Sequence, residues 1–406
     1  MYIPRAIEPS IRSIAETFPV LLVTGPRQVG KTTLPRHVAE PPRGYVTLDD
    51  PLLRQLAVGE PALFLERFEA PVIIDEIQYA PGLLPYIKMR VDRAEAKGAY
   101  WLTGSQMFHL MKKVSESLAG RVGIMQLLGL SQAEIAGRPS TPFLPTQAVL
   151  SGRRKDAERR ALPEAFLAIH RGSMPALYAS EHKPDIEQYY SSYVQTYLQR
   201  EIKDFSQVGD ELAFLRFLTA VAARTGQMLQ YADLGRDGGI SAPTAKQWLS
   251  LLVTSGIVCL VEPWYSNTLK RMIKAPKLYF LDAGLCAYLT RWTTPEALEA
   301  GAMSGSMFET FVVSEIMKSW HNAGKKPPIF YYRDKDKNEI DLIIEVDGRL
   351  HPVEIKKSAN PGKDAISAFR FLAEAGKPVG SGGVVCCASE YLPLDAKNSI
   401  VPWWLV

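Results

Sequence analysis

Residues 25–32, GPRQVGKT, decide the fold of the first third of this chain. They have the spacing of a phosphate-binding loop, in which two glycines frame four residues and a lysine and a threonine follow. The apolar run Val20–Thr24 leads into the loop as a predicted strand, and a helix is expected to begin at Lys31. Glycines let backbone N–H groups turn inward on phosphate oxygens, and a helix N-terminus adds positive charge there. The stretch therefore predicts a site for a nucleoside triphosphate.

The side chains of this loop have distinct expected tasks. Lys31 should reach the β- and γ-phosphates of ATP as a catalytic residue, and the Thr32 hydroxyl should ligate Mg²⁺. ATP and Mg²⁺ are therefore the predicted cofactors. The predicted ATP-binding residues are Gly25, Pro26, Arg27, Gln28, Val29, Gly30, Lys31, Thr32 and Thr33.

A second apolar run ends in two carboxylates. Val72–Ile74 predicts a strand, and Asp75 and Glu76 follow at its carboxyl end. Asp75 is expected to hold Mg²⁺ through water, and Glu76 is expected to orient the water that attacks the γ-phosphate. Such a pair can also simply cap a helix, but its position downstream of the phosphate loop favours ATP hydrolysis.

A third apolar run ends in a polar turn. The predicted strand at residues 99–102 is followed by Thr103, Gly104 and Ser105. A polar residue on a strand between the loop strand and the carboxylate strand can sense the γ-phosphate, so Thr103 and Ser105 are candidates. An ordinary turn that caps a helix is the alternative.

Short apolar runs alternate with helical stretches over the first third of the chain. The predicted strands are residues 20–24, 45–48, 71–74, 99–102 and 122–127, with helices such as 31–38 and 83–97 between them. Strand and helix alternating at this spacing are typical of a parallel sheet with crossover helices. The predicted fold class is therefore α/β, a parallel sheet with helices on both faces.

Five motifs occur in order and together resemble a known family. They are GPRQVGKTT (25–33), LDDP (48–51), IIDEIQ (73–78), LTGSQ (102–106) and SLAGR (117–121). The chain resembles a large prokaryotic family of AAA+ P-loop ATPases with a C-terminal domain of unknown function. Residues 171–175, 193–202, 276–285 and 308–315 fit that C-terminal region, so the resemblance covers nearly the whole chain.

This resemblance implies an ATPase that forms a homo-oligomer, of which a hexameric ring is one form. Arg121 precedes the fifth strand, where such proteins often carry an arginine that reaches a neighbouring subunit's nucleotide. Arg121 is therefore a candidate catalytic residue acting between subunits. The alternative is an exposed arginine without a catalytic task.

The middle region predicts a winged helix, because two helices, a tight turn and strands follow one another. Ser241 is the expected N-cap of its second helix. Lys246 and Gln247 on that helix could approach bases in a DNA groove. A wing carrying Lys270, Arg271 and Lys274 could contact phosphates. The alternative is a module for protein contacts.

The last hundred residues resemble a small α/β restriction-endonuclease-like module. Asp341 ends one predicted strand segment, and Glu354 and Lys356 lie two positions apart on the next. In active members of that fold, such an aspartate and glutamate bind Mg²⁺ while the lysine assists water or phosphate. Asp341 and Glu354 are thus a tentative second metal site with Lys356, and Glu309 could add a carboxylate. A retained fold element without cleavage is the alternative.

Length and composition bound these hypotheses. A chain of 406 residues predicts several domains, here 1–140 for the ATPase, 141–205 for a linker and helical lid-like region, 206–295 for the winged helix and 296–406 for the endonuclease-like module. No apolar run is long enough to span a membrane, and no secretory signal is visible. The four cysteines include no C-x-x-C pair, which favours a reducing cytoplasm.

The leading functional hypothesis is an oligomeric ATPase that moves or remodels a bound partner, with DNA the favoured class. The net charge of +4 neither requires nor opposes nucleic acid. A nucleotide-gated protein-interaction switch and an ATP-regulated nuclease are the alternatives.

Overall fold

The computed structural model describes residues 2–40, 42–94, 96–104, 113–114, 116–179, 184–198, 211–265, 275–374 and 376–406. Four predicted site residues lie outside these ranges: Ser105, Lys270, Arg271 and Lys274. The described strands form one parallel, one antiparallel and one mixed sheet.

The first sheet is parallel throughout. Its strands are β1 (Val20–Thr24), β2 (Gly44–Thr47), β3 (Val72–Asp75), β4 (Tyr100–Thr103) and β5 (Val122–Gln126). Their order in space is β2-β3-β4-β1-β5. Every neighbouring pair is parallel, which requires crossover connections between consecutive strands. The predicted parallel sheet of an α/β fold is confirmed.

Helices cover both faces of this sheet. They are α1 (Glu8–Thr17), α2 (Thr33–Val38), α3 (Pro51–Gly59), α4 (Pro61–Arg67) and α5 (Leu83–Ala94). Leu21 and Val23 of β1 share a core with α1 and α2, whereas Val20 and Leu22 share a core with α3, α4 and α5. Successive side chains of a strand point to opposite faces, so β1 is apolar at every core-facing position.

A helical region and a second, antiparallel sheet follow. The helices are α6 (Gln132–Ile135), α7 (Gln147–Asp156), α8 (Leu162–Arg171), α9 (Ala176–Ala179) and α10 (Ile186–Tyr193), which continues into a π-helical turn at Val194–Leu198. The next unit contains α11 (Glu211–Ala223), β6 (Gln227–Met228), α12 (Tyr231–Gly238), α13 (Ala242–Thr254), β7 (Val258–Val261) and β8 (Lys277–Phe280). Its strands pair in the order β6-β8-β7. Ser241 caps α13 as predicted, since its Oγ accepts the Thr244 N–H at 3.2 Å.

The last module is built on a mixed sheet. Its elements are α14 (Ala283–Leu289), α15 (Pro295–Ala300), α16 (Ser304–Asn322), β9 (Ile329–Arg333), β10 (Glu339–Val346), β11 (Arg349–Lys356), β12 (Gly382–Cys386), β13 (Leu392–Pro393) and β14 (Asn398–Pro402), with 3₁₀ helices at Lys363–Glu374 and Trp403–Leu405. The strand order is β13-β14-β12-β11-β10-β9. β9, β10 and β11 are antiparallel neighbours, and β11, β12 and β14 are parallel ones.

Two predicted helix bounds are wrong, since the helix predicted over 83–97 ends at Ala94 and the helix after the phosphate loop begins late. The helix after the phosphate loop begins at Thr33 rather than at Lys31. A difference of this size is usual at a helix start, where the first turn has no intrahelical hydrogen-bond acceptors for its N–H groups. The segment Lys363–Glu374 is a 3₁₀ helix, in which, for example, the Ala365 N–H donates to Gly362 O at 3.1 Å.

A buried ion pair fixes the N-terminal segment against the phosphate loop. Arg5 Nε lies 2.9 Å from Glu134 Oε1, and the two side chains are 4% and 1% exposed. The same guanidinium donates to Val29 O at 2.9 Å and to Leu128 O at 2.8 Å. Carbonyls and a carboxylate thus satisfy the buried cation, which is the condition under which such a pair is tolerated.

The same region is joined to α16 by further buried polar groups. The Gln132 N–H donates to Glu315 Oε2 at 2.7 Å. Lys318 Nζ lies 2.8 Å from Glu315 Oε1 and 3.1 Å from Leu130 O. The first turn of α6 is therefore held directly by charged side chains of the C-terminal module.

Arg5→Ala should lower the free energy of unfolding by about 3–5 kcal/mol, because it leaves Glu134 buried without its cation. Urea denaturation measures the change. The matched control is Arg12→Ala on the exposed side of α1, which should change the free energy by about 0.5 kcal/mol or less. Equal effects of the two substitutions would contradict the role given to Arg5.

Candidate nucleotide-binding site

The predicted site residues of the first domain meet at one edge of the parallel sheet. The phosphate loop follows β1, Asp75 ends β3 and Thr103 ends β4. Since β4 lies between β3 and β1, Thr103 lies between the carboxylate strand and the loop, as predicted. The carboxyl edge of such a sheet is the usual place for ligands.

The loop backbone requires its two glycines for different reasons. Gly25 has a φ of 136°, and a Cβ there would lie 2.0 Å from Leu127 O on the strand beside it. Gly30 has a φ of 97°, a conformation that side chains rarely adopt, although the space around it is open. Gln28 also has a positive φ, 61°. The loop therefore curls back over the sheet edge.

Lys31 is buried within this curl. Its Nζ donates to Pro26 O at 2.6 Å, so the ammonium lies inside the loop that is expected to surround phosphate. A cation held by loop carbonyls is in position to exchange a carbonyl oxygen for a phosphate oxygen, which is the more negative partner.

Asp75 accepts hydrogen bonds from three hydroxyl groups. Thr32 Oγ1 lies 3.1 and 3.0 Å from its two oxygens, and Tyr45 Oη lies 3.0 Å from Oδ2. The Thr103 hydroxyl donates to Oδ1. The predicted partners Thr32 and Asp75 are thus in contact. A hydroxyl and a carboxylate are oxygen donors of the kind Mg²⁺ prefers, so this pair fits the predicted ion.

Sequence reasoning missed Tyr45. Burial, and then the Asp75 carboxylate, raises the pKa of Tyr45 to about 12, so its hydroxyl stays protonated and donates at neutral pH. Arg36 lies over the Tyr45 ring, 4.6 Å from its centroid. No motif marks this tyrosine, and only the pairing of β2 with β3 brings it to Asp75.

Glu76 follows Asp75 in a left-handed backbone conformation, with a φ of 57°. Its N–H donates to Thr103 Oγ1 at 3.2 Å, and the Gln78 side-chain amide donates to its carboxylate. A left-handed glutamate costs on the order of 1–2 kcal/mol, which is tolerated where the surroundings fix the geometry. Thr103 therefore contacts the carboxylate of Asp75 and the backbone N–H of Glu76 at once.

A cavity of about 470 Å³ opens over the loop, within the size range of ligand sites. Its lining consists of Arg27, Gln28, Gly30, Lys31, Thr32, Thr33, Glu76 and Thr196. Thr196 was not predicted, and it belongs to the π-helical turn after α10. Tyr189 of α10 was also missed; its hydroxyl donates to Gln28 Oε1 at 2.7 Å. The helical region thus touches the loop directly.

Arg121 lies away from this cavity. The Arg121 carbonyl accepts the Val20 N–H, so Arg121 lies at the amino end of β5. The length of β5, about 17 Å, separates Arg121 from the carboxyl edge of the sheet, where the phosphate loop lies. Its guanidinium pairs with Asp92 of α5, with Nη2 3.1 Å from Oδ2, and both side chains are exposed. Arg121 therefore faces the surface rather than its own loop.

The C-terminal residues predicted to bind a metal also come together. Asp341 on β10 and Glu354 on β11 lie next to the cross-strand pair Leu342–Val353, and Lys356 Nζ lies 2.6 Å from Glu354 Oε1 and 3.8 Å from Asp341 Oδ2. We call Glu309, Glu339, Asp341 and Glu354 the carboxylate cluster. Burial, and then Asp341, raises the pKa of Glu354 to about 8.

Sequence reasoning missed one member of this neighbourhood, Lys277. It begins β8 in a different module, and its Nζ lies 3.2 Å from Glu309 Oε1. The available signal was a lysine at the start of the apolar strand Lys277–Phe280, which is fully buried. Among the described residues, no three His, Cys, Asp or Glu side chains have an arrangement suited to hold a metal ion.

The surface predicted to approach DNA is open on α13. Lys246 and Gln247 are exposed there, while Ala245, Trp248 and Leu249 face the core of the unit. The other predicted phosphate contacts, Lys270, Arg271 and Lys274, lie outside the described residues.

Comparison with protein families divides the chain into three parts. Residues 17–136 match the family described as an AAA domain. Residues 164–296 match a domain of unknown function, DUF8612, and residues 304–406 match another, DUF4143. The predicted resemblance to P-loop AAA-type ATPases with a C-terminal domain of unknown function is confirmed.

Two curated relatives are uncharacterised proteins of Mycobacterium tuberculosis and Mycobacterium bovis. Each is 29% identical over 353 residues, which is 86% of this chain and 73% of the relative. A solved structure of a Walker-type ATPase from Pyrococcus abyssi is 15% identical, covers 70% of this chain and 94% of its own, and has a TM-score of 0.38. In the part of the chain that the structure describes, every helix is too short or too polar to cross a membrane.

Gly25→Ala should weaken ATP binding about tenfold or more, because its Cβ would collide with Leu127 O and the strain costs on the order of 1–3 kcal/mol. Titration with a fluorescent ATP analogue measures the affinity, and circular dichroism checks the fold. Gly82→Ala is the matched control, since a Cβ there meets nothing within 4 Å. Equal affinities in the two variants would contradict the geometry assigned to the loop.

Proposed function

We propose that this chain hydrolyses ATP with Mg²⁺ and uses the nucleotide state to move or remodel a bound partner, with DNA the favoured class. The observation that carries the ATPase part is the contact of Thr32 with Asp75 beneath the cavity that contains Lys31. A lysine, a hydroxyl and a carboxylate at the carboxyl edge of a parallel sheet are the parts that phosphoryl transfer requires.

In this proposal, the loop from Gly25 to Thr33 surrounds the triphosphate, and Lys31 leaves Pro26 O for the β- and γ-phosphate oxygens. Thr32 and Asp75 hold Mg²⁺, which when bound supplies positive charge to the phosphate oxygens. Tyr45 and Thr103 orient Asp75 by donating to its oxygens. These side chains hold the charged groups in position before the reaction begins. Electrostatic stabilisation of the transition state is largest when the charged groups need not reorganise during the reaction.

Glu76 is proposed to orient the attacking water. It lines the cavity, and its backbone is held by Thr103. Gln78 donates to the same carboxylate, so releasing that contact would free one oxygen for water. Ser105 remains a candidate γ-phosphate sensor from the sequence alone.

Arg121 is proposed to act on the nucleotide of a neighbouring subunit. Its exposed position at the opposite edge of the sheet suits a contact between copies and no contact with its own loop. The pair with Asp92 would have to open when a neighbour docks. Assembly that depends on ATP, measured by sizing with and without nucleotide, would support a homo-oligomer.

Two contacts offer a route from nucleotide to partner. Tyr189 bonds to Gln28 in the loop, and Thr196 lines the cavity, so α10 and its π-helical turn would respond to bound phosphate. These contacts favour a second candidate function, a nucleotide-gated switch that binds another protein. Both functions share the ATP site and differ in the partner.

DNA is favoured because the unit from α11 to β8 has the helix and strand order of a winged helix. The second helix of the pair α12 and α13 exposes Lys246 to solvent. A helix that enters a major groove would contact base edges through a residue at this position. The exposed lysine is suited to donate to guanine acceptors.

Lys31→Ala should abolish ATP binding or turnover, because it removes the ammonium that lies buried within the curl of the loop. Glu76→Gln should keep ATP bound while turnover falls about 10²–10⁴-fold, the usual contribution of a positioned base. Phosphate release and nucleotide retention on a filter measure the two effects. Lys97→Ala, an exposed lysine outside the cavity, is the control. Unchanged turnover in Lys31→Ala would refute the assigned site.

DNA should stimulate ATP turnover, and Lys246→Ala should weaken DNA binding by about 1–3 kcal/mol through loss of a base contact. Fluorescence anisotropy with single-stranded, duplex and branched DNA measures the affinity. The charge-matched control is Lys155→Ala on exposed α7. If none of the three DNA forms stimulates turnover while Lys31-dependent hydrolysis persists, the protein-binding switch is favoured instead.

A further inference from the structure

A buried ammonium lies at the centre of the carboxylate cluster. Lys277 Nζ is 2.5 Å from Glu339 Oε1, 3.2 Å from Glu309 Oε1 and 3.9 Å from Asp341 Oδ1. The Lys277 side chain is 3% exposed. Three carboxylates from α16 and β10 therefore point at one cation that comes from another module.

The backbone and neighbours of Lys277 hold it in this position. On β8 it pairs with Val261 of β7 on one side and Met228 of β6 on the other. Tyr279, two positions further along the strand, donates its hydroxyl to the same Glu309 Oε1 at 2.6 Å. The ammonium also lies 5.7 Å from the centroid of the Tyr331 ring. The strand pairing and the neighbouring Tyr279 thus place the stem of Lys277 beside the cluster.

Among the described residues, Glu354 Oε2 is buried without a hydrogen-bond partner, whereas other oxygens of the predicted metal site have partners. Asp341 Oδ2 accepts the Ile355 N–H at 2.8 Å. Lys356 Nζ lies 2.6 Å from Glu354 Oε1 and 3.8 Å from Asp341 Oδ2. A second lysine thus lies on the other side of Asp341.

A divalent cation would have to compete with these two ammonium groups. Mg²⁺ requires oxygen ligands at about 2.0–2.1 Å in octahedral geometry. The Lys277 ammonium already lies against three carboxylates of the cluster, those of Glu339, Glu309 and Asp341. Displacing it would leave a buried charge without partners, which is strongly unfavourable.

We propose that the Lys277 ammonium takes the place of a divalent cation in the carboxylate cluster. The cluster is then an internal ionic joint that docks β8 against the C-terminal sheet, and that sheet does not bind a catalytic metal. The tentative assignment of Mg²⁺ to Asp341 and Glu354 gives way to this joint. The proposal does not depend on the ATPase assignment, since it concerns a separate group of residues.

The joint continues beyond the lysine along the same edge. The backbone N–H of Trp264 donates to the backbone carbonyl of Tyr331 at 2.6 Å. The Tyr331 hydroxyl donates to the backbone carbonyl of Ala275 at 2.5 Å. Trp264 Nε1 donates to Glu345 Oε2 at 2.9 Å. The hairpin of β7 and β8 is therefore hydrogen-bonded to the edge strand β9 and its neighbour β10, with Lys277 at one end of the contact.

The test is a Mn²⁺ titration of the nucleotide-free full-length chain, followed by the electron paramagnetic resonance signal of free Mn²⁺. The wild type and Asp341→Asn should bind the same amount of Mn²⁺, because no Mn²⁺ binding by the wild type depends on Asp341. Lys277→Met keeps a side chain of similar length but removes the charge, so it should bind Mn²⁺ at least tenfold more tightly than the wild type. Adding Asp341→Asn to Lys277→Met should abolish that gain.

The matched control is Lys335→Met, which removes an exposed lysine in the turn between β9 and β10 and should behave as the wild type. Binding of Mn²⁺ to the wild type that is lost in Asp341→Asn would overturn the proposal. So would a folded Lys277→Met variant that gains no Mn²⁺ affinity. If Lys277→Met does not fold, the comparison of wild type with Asp341→Asn still decides, because it requires no change at Lys277.

Discussion

The carboxylate of Asp75 is the point on which the geometry of the nucleotide site depends. It is almost completely buried, so its charge must be balanced by donors from the protein or by a cation. Three donors come from three different elements: Thr32 at the start of α2, Tyr45 on β2 and Thr103 on β4. The order of the parallel strands makes this convergence possible, because each of these residues lies at or near the carboxyl edge of the sheet.

A second constraint is the burial of charges where the modules meet. The helix α16 carries Glu309 toward β8, and about 1.7 and 2.5 turns later it carries Glu315 and Lys318 toward the first turn of α6. Arg5 and Glu134 continue this network to the carbonyl of Val29 in the phosphate loop. One helix thus contacts both β8 and the first turn of α6 through buried charged groups.

The carboxylate cluster illustrates how a local pattern and its surroundings can point to different chemistry. Asp341, Glu354 and Lys356 lie together on adjacent strands, as their spacing predicts. The cation beside these residues is the ammonium of Lys277 on β8, a strand that lies far from them in the sequence. The Lys277 side chain carries one positive charge and is covalently attached to β8. In this proposal it joins two modules, whereas a metal ion at the same place would take part in catalysis.

The amino-acid sequence by itself determined the phosphate loop, the two carboxylates after β3, the polar residue after β4 and the α/β alternation. These features are local: a run of apolar residues, a glycine spacing and a charged strand end specify them within about ten residues. Tertiary structure alone decided that Tyr45 reaches Asp75, that Tyr189 and Thr196 touch the loop, and that Lys277 enters the carboxylate cluster. Each of those contacts joins residues distant in the chain, and no periodicity or motif encodes it, because it arises only when sheets and helices pack against one another.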